Sequence, residues 1–107
     1  MAQIIWTEPA LNDLNDIAEF IALDKPSAAK KLVQGVFNSV KRLKDFPESG
    51  KTPEELAETN YREIIVSPCR VFYRVESNKV YILYVMRSER QLRIFLLEDR
   101  NDEINRI

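Results

Sequence analysis

The chain has 107 residues, enough for one domain and too few for two ordinary ones. Its composition, 45% hydrophobic and 9% aromatic, can build one core, which excludes a disordered or fibrous chain. Sixteen basic and 17 acidic residues give a formal charge of −1, excluding a uniformly basic nucleic-acid coat but not a local basic face.

Gln3–Trp6 is short, apolar and β-prone and reads as a strand. Thr7 then caps a helix, with Glu8 in the first turn and Pro9 where a missing N–H does no harm. Ala10, Leu14, Ile17, Ala18 and Ile21 recur at helical spacing, with Asp13, Asp16 and Glu19 on the wet side. Asp24 is the expected cap of a second helix that carries Pro26 near its start. Its apolar stripe is Ala29, Leu32, Val33, Val36, Val40 and Leu43, and Lys30, Lys31, Lys41 and Arg42 face water. The link at Leu23–Lys25 is short, so the helices form an antiparallel hairpin. Phe46-Pro47 ends the second helix, and residues 47–60 read as a loop with one helical turn at Pro53–Ala57.

Three strands follow: Tyr61–Val66, Cys69–Glu76 and Lys79–Arg87. Ser67-Pro68 breaks the first from the second as a turn or bulge, and Ser77-Asn78 makes a tight hairpin. The last strand is apolar on both faces, with Val80, Ile82 and Tyr84 set against Tyr81, Leu83 and Val85. Arg90–Leu97 reads as a short helix, with a strand as the alternative, and Asp99–Ile107 as a frayed tail. The order is β-α-α-β-β-β(-α). It describes an α+β domain spanning residues 1–107, core about 3–97 and tail 98–107, with a helix hairpin on one face of a small, mostly antiparallel sheet. No remaining long element is left to cover the other face.

Side chains alternate along Cys69–Glu76. Val71, Tyr73 and Val75 belong under the helices; Arg70, Phe72, Arg74 and Glu76 belong on the other, uncovered face. An Arg-Phe-Arg row suits phosphate contact and stacking, or a protein hot spot. The alternative is a solvated face with Arg74 paired to Glu63 or Glu76. A second cationic cluster is Arg87, Arg90 and Arg93 around Glu89. Charge alternates along the chain: residues 1–24 carry −5, 25–51 carry +5, 52–60 carry −3, 61–95 carry +4 and 96–107 carry −2.

Catalytic chemistry is sparse. With no His, the Ser-His-Asp, Cys-His and His-metal arrangements are all excluded. One cysteine, Cys69, excludes an intrachain disulfide or a cysteine-cluster metal site and reads as a buried small hydrophobe. Phosphate-loop and paired-ligand metal motifs are missing. No apolar run approaches the ~20 residues of a membrane span, and no signal peptide opens the chain. The expectation is a soluble, cytoplasmic protein without metal or cofactor.

The string WTEPALNDLNDIAEFIALDKPSAAKKLV, followed by LKDFPESGK, YREIIVSPCRVFYRV and VYILYVMRSERQL, resembles the RelE/ParE toxins of bacterial type II toxin–antitoxin systems, and most of all the ParE branch. The resemblance covers roughly residues 4–97. It implies the β-α-α-β-β-β fold and a protein antitoxin, ParD-like for the ParE branch. RelE-like members are ribosome-dependent mRNA interferases; ParE-like members act on DNA gyrase and block replication. Carried over by position, Arg70 matches the family's strand arginine. The strand lysines of the RelE type fall at Tyr61 and Glu63, and its later Arg and Tyr fall near Ser88 and Ile94. One arginine supplies neither base nor acid, so the resemblance implies a non-enzymatic gyrase inhibitor without sequence-specific nucleic-acid binding of its own. The alternative is a RelE-like mRNA interferase.

Arg70, Arg74, Arg87, Arg90, Arg93 and Phe95 are the expected target surface. Phe20 and Phe37 sit off or at the edge of their helices' stripes, so they are the expected apolar anchors for the antitoxin, steered by Lys30, Lys31, Lys41 and Arg42. The antitoxin is expected to cross the helix hairpin and run along the sheet edge toward Arg70 and Arg74.

Overall fold

The computed structural model describes residues 1–105. Strand β1 (Gln3–Trp6) leads into helices α1 (Glu8–Ala22) and α2 (Pro26–Lys41). Strands β2 (Tyr61–Val66), β3 (Cys69–Glu76) and β4 (Lys79–Arg87) follow, then helix α3 (Ile94–Asn105). The sheet order is β1-β4-β3-β2, with β1 parallel to β4 and the other pairs antiparallel. The α+β reading and its strand bounds hold.

Thr7 caps α1 as expected. Its hydroxyl accepts from the Ala10 N–H at 3.4 Å and donates to the Ile82 carbonyl at 2.7 Å, tying the helix start to β4. Asp24 does not cap α2. Its own N–H still closes the end of α1 on the Ile21 carbonyl, and the N-cap falls on Lys25, with Pro26 opening the helix. Ser67-Pro68, with a cis peptide bond, is the two-residue turn from β2 to β3, and Ser77 turns the next hairpin at φ 55°.

The hairpin packs Leu14, Leu32, Val36 and Val40 onto Val71, Tyr73, Val80 and Ile82. A register shift between Phe72 and Tyr73 makes β4 one residue longer than its partner there. Leu83 and Tyr84 therefore lie on the same side, and Val85 returns to the hairpin side. This corrects the strict alternation that grouped Tyr84 with Ile82: a bulge resets the period of two.

The second sheet face is covered. Helix α3 places Leu97 on it, and Leu56 and Leu92 join Phe72, Leu83, Tyr84 and Met86 in a second core cluster. Residues 99–105 continue α3 and are not a frayed tail; Arg106 and Ile107 lie outside the described residues. The polar run EDRNDE hides this helix, because its apolar packing residues are Ile94, Leu96 and Leu97 in the first turn and then Ile104 alone.

The loop before β2 is pinned at Gly50, whose N–H donates to the Tyr73 hydroxyl at 2.9 Å. A Cβ at Gly50 would collide with that hydroxyl and meet the Glu63 carbonyl oxygen at 2.7 Å. Gly35, inside α2, has only Val66 Cγ1 at 3.6 Å. The two glycines should respond with opposite sign. Gly50→Ala is expected to lower stability by about 2 kcal/mol, as overpacking of a tight site does. Gly35→Ala is expected to raise it by about 0.5–1 kcal/mol through helix propensity. Urea midpoints of the two variants measure both.

Candidate functional site: a cationic, apolar groove beside the end of β4

The covering of the second face decides what the β3 row can do. Phe72 is fully buried. Arg70 is held from two sides. Its Nε and Nη2 donate to the two Glu63 carboxylate oxygens at 2.8 and 2.9 Å, and its Nη1 and Nη2 donate to Glu55 at 2.8 and 2.9 Å. The guanidinium also lies 4.8 Å from the Phe72 ring centroid. Arg74 is 9% exposed and sits over the Tyr81 ring, with Nη1 bound to Glu76 at 2.5 Å. Arg70 and Arg74 thus lie inside the fold, engaged by carboxylates, rather than on an open face. The pairing of Arg74 with Glu76 is the alternative that the strand pattern left open.

The other expected residues gather elsewhere. A groove of about 1300 Å³ opens between α1 and the segment that joins β4 to α3. Ile17 and Phe20 line one wall together with Asp13 and Asp16, Val85, Met86 and Arg87 form the floor, and Arg90, Arg93, Ile94 and Phe95 line the far wall. Phe20 is 69% exposed and Phe95 73%, so two aromatic rings face solvent across one cleft. Arg87 pairs with Glu89, while Arg90 and Arg93 form no ion pair among the described residues. Phe37 lies apart from the groove, its ring 4.9 Å from that of Trp6. Lys30, Lys31, Lys41 and Arg42 are exposed along α2 and its end, and none of them lines this groove. Candidate target and antitoxin residues therefore meet at one place, through Phe20 on one side and Arg87, Arg90, Arg93 and Phe95 on the other.

One group was not legible in the sequence. The Asp13 carboxylate accepts the Val85 backbone N–H at 3.0 Å and both terminal nitrogens of Arg100, at 2.6 and 3.0 Å. Arg100 also donates to the Leu83 carbonyl at 2.9 Å and lies over the Tyr84 ring. The partners are 87 residues apart, so no local spacing announces the pair. Cys69 is fully buried, and burial pushes its thiol above the ordinary range, which keeps it inert.

The profile described as "ParE toxin of type II toxin-antitoxin system, parDE" matches residues 4–92. The chain belongs to the ParE toxin family. It is 33% identical over 91 residues to Toxin RelE2 of Caulobacter vibrioides, covering 84% of this chain and 99% of that protein. A solved structure titled "Chromosomal ParDE TA system from P. aeruginosa" superposes with a TM-score of 0.69 at 28% identity, covering 83% of this chain and 98% of the other. Within this ParE fold, the strand arginine that matches the interferase position is Arg70, and Glu55 and Glu63 occupy all three of its donor nitrogens. Among the described residues, no helix is long and apolar enough to cross a membrane.

The Arg70 bridge fastens the 54–56 turn to the sheet and should make stability depend on acid. Hydrogen bonding to Arg70 holds the Glu55 carboxyl at about 2, below its ordinary 4.5. A depressed carboxylate contributes stability above its unfolded pKa and loses it as pH falls through the folded value. The contribution should be complete above about pH 4.5 and gone near pH 2. Glu55→Gln is expected to cost about 1 kcal/mol at neutral pH, the level of a partly solvent-screened ion pair. Its difference from wild type should close between those two values, as read from urea unfolding at stepped pH.

Proposed function

We propose that this type II toxin acts by binding DNA gyrase and blocking replication, without cleaving RNA, and that a ParD-like antitoxin neutralises it by direct binding. The observation that carries the reading is the contrast between two arginine sites. Arg70 is held by two carboxylates that take four of its five N–H donors and neutralise its charge, which ill suits it to bind a scissile phosphate. Arg90 and Arg93 are exposed and form no ion pair among the described residues, and they stand beside two solvent-facing aromatic rings, the composition of a protein-binding hot spot. Tyr61, Glu63, Ser88 and Ile94, at the remaining interferase positions, supply no cationic group for a phosphorane. Glu63 is buried and negative there. The similarity to the ParDE structure supports a protein antitoxin as partner.

Target and antitoxin would then share the groove, and neutralisation would be occlusion. Incubation of the pure chain with gyrase and supercoiled DNA is expected to inhibit supercoiling and to accumulate cleaved-DNA complex. Joint reversal of Arg90→Glu and Arg93→Glu should weaken that inhibition at least about tenfold while leaving the fold intact, because neither side chain is buried or paired. No effect on gyrase would overturn the reading. Cleavage of mRNA on translating ribosomes would favour the RelE-type alternative, whose name the Caulobacter relative carries. The antitoxin arm is tested by co-expressing the product of the adjoining reading frame. It should copurify and relieve growth arrest, and Phe20→Ala should weaken the complex about 30-fold, as loss of a buried aromatic anchor does.

A further inference from the structure

Helix α2 carries charge of one sign. Residues 25–44 hold six cations, Lys25, Lys30, Lys31, Lys41, Arg42 and Lys44, and no acid. At about 100° per residue, Lys30, Lys31, Gln34, Asn38, Lys41 and Arg42 fall within one arc of about 120°. All six are exposed, and none takes part in an ion pair among the described residues. The neighbouring helix α1 carries Glu8, Asp13, Asp16 and Glu19 and no cation, yet among the described residues no ion pair joins the two helices. Asp13 is engaged by Arg100 instead. Asp24 and Asp45 lie beyond the two ends of α2 rather than on its face. The cationic surface also continues past the helix. A polar cleft of about 390 Å³ adjoins its end, lined by Ser39, Arg42, Ser49 and Lys51. The carboxylate that lines it, Glu63, is buried and bound to Arg70.

We propose that this face of α2 binds duplex DNA through its phosphate backbones, without reading sequence. The contact is additional to gyrase and antitoxin as partners, and none of its six residues lines the groove beside β4. Composition selects nucleic acid over protein. Phosphate oxygens are bound by Lys, Arg, Asn, Gln and Ser side chains, the residue types found here. A protein hot spot needs an apolar or aromatic centre. The ring at the margin of this face, Phe37, packs against Trp6 instead. Single strands are held by stacking their bases on aromatic rings, and none of the six residues is aromatic. Spacing selects the B-form duplex. Lys30 and Lys31 stand at one end of the face and Lys41 and Arg42 at the other, about 16 Å away at a rise of about 1.5 Å per residue. The B-DNA major groove is about 12 Å wide, so flexible side chains from the two ends reach the backbones on both of its sides. The major groove of an A-form RNA duplex is narrow and does not match that span. Gln34 and Asn38 lie between the two cationic ends, and no carboxylate on the face repels either strand.

Fluorescence anisotropy of a labelled DNA duplex, titrated with the pure chain, tests this in the absence of gyrase and antitoxin. Two duplexes of unrelated sequence are expected to bind equally, with dissociation constants of about 10⁻⁶ to 10⁻⁴ M. Phosphate contacts from Lys30, Lys31, Lys41 and Arg42 make log K fall with log salt at a slope of about −3.6. Lys30→Gln combined with Lys41→Gln should reduce that slope by about 2 and weaken binding at least about tenfold at low salt. Both side chains are exposed and Gln matches Lys in helix propensity, so the urea midpoint should stay that of wild type. Lys79→Gln, exposed at the start of β4, should change neither affinity nor slope. No binding at up to about 1 mM chain, well above the range of non-specific DNA affinities, would overturn the proposal. So would binding that Arg90→Gln with Arg93→Gln abolishes while the α2 pair leaves it intact, because that result assigns DNA to the groove. Equal binding of duplex RNA or of polyglutamate would overturn DNA as the occupant and make the face a general polyanion surface. Gyrase takes no part in any of these measurements, so the gyrase reading stands or falls by its own assay.

Discussion

The structure depends on how its longest strand is covered along one side. Strand β4 has nine residues and β1 has four, so the central strand of a small sheet outruns its parallel neighbour. An uncovered backbone edge in an apolar strand is costly when buried and a template for mispairing when exposed. The Asp13–Arg100 pair resolves half of that edge with side chains. It brings α1 and α3 to the same point on β4, from opposite faces of the sheet, and Arg100 rests on Tyr84 as it does so. Helix α3 is held there by this pair and by Leu97, and with α3 in place Phe72 and Arg74 are buried. The same geometry leaves the other half of the edge as the floor of the groove.

Local signals carried most of the architecture. The Thr7 cap, the two apolar stripes, the Ser77-Asn78 turn and the strict alternation in β3 were all readable, because each depends on residues within a few positions. What was illegible depended on distance. A bulge opposite Phe72 is set by pairing, not composition, and it moved Tyr84 and Val85 to faces that alternation denied them. Helix α3 has few apolar residues to mark it, and its docking rests on an ion pair with a residue 87 positions away. Reading the last helix as the short Arg90–Leu97 followed by a tail, rather than as Ile94–Asn105, left the second sheet face uncovered in the sequence reading. That reading, together with the unforeseen Glu55 and Glu63 contacts, turned Arg70 and Arg74 into surface residues.

The groove was half legible. Phe20 off its stripe and the Arg87, Arg90, Arg93 cluster were each visible, but nothing local placed them opposite each other. They meet because α1 crosses β4 near its end, where the Asp13 contact fixes it, and because the chain turns back along that end to begin α3. Phe37, singled out by the same off-stripe argument as Phe20, instead packs at a tilt against Trp6. Helical position alone separates a ring from its own helix's stripe; it does not say whether a neighbouring element receives that ring.

Part of the charge alternation along the chain is consumed inside the fold. Acids of the first block bind Arg100 from the last, through Asp13. The glutamates of residues 52–60 supply Glu55 to Arg70. Within the block 61–95, Arg70 also takes Glu63, Arg74 takes Glu76 and Arg87 takes Glu89. These pairings leave Arg90 and Arg93 outside any ion pair among the described residues, and both stand on one wall of the groove. Exposed cations outside an ion pair remain available to an acidic partner, and ion pairs at a cleft between low-dielectric walls are screened less than on open surface. A chain with a net charge of −1 thus gathers three arginines at one groove, across from the acidic Asp13 and Asp16 wall, which average composition conceals. That site lies beside two unburied aromatic rings and an unpaired strand end, so charge, apolar area and backbone hydrogen bonding converge on one partner-sized cleft.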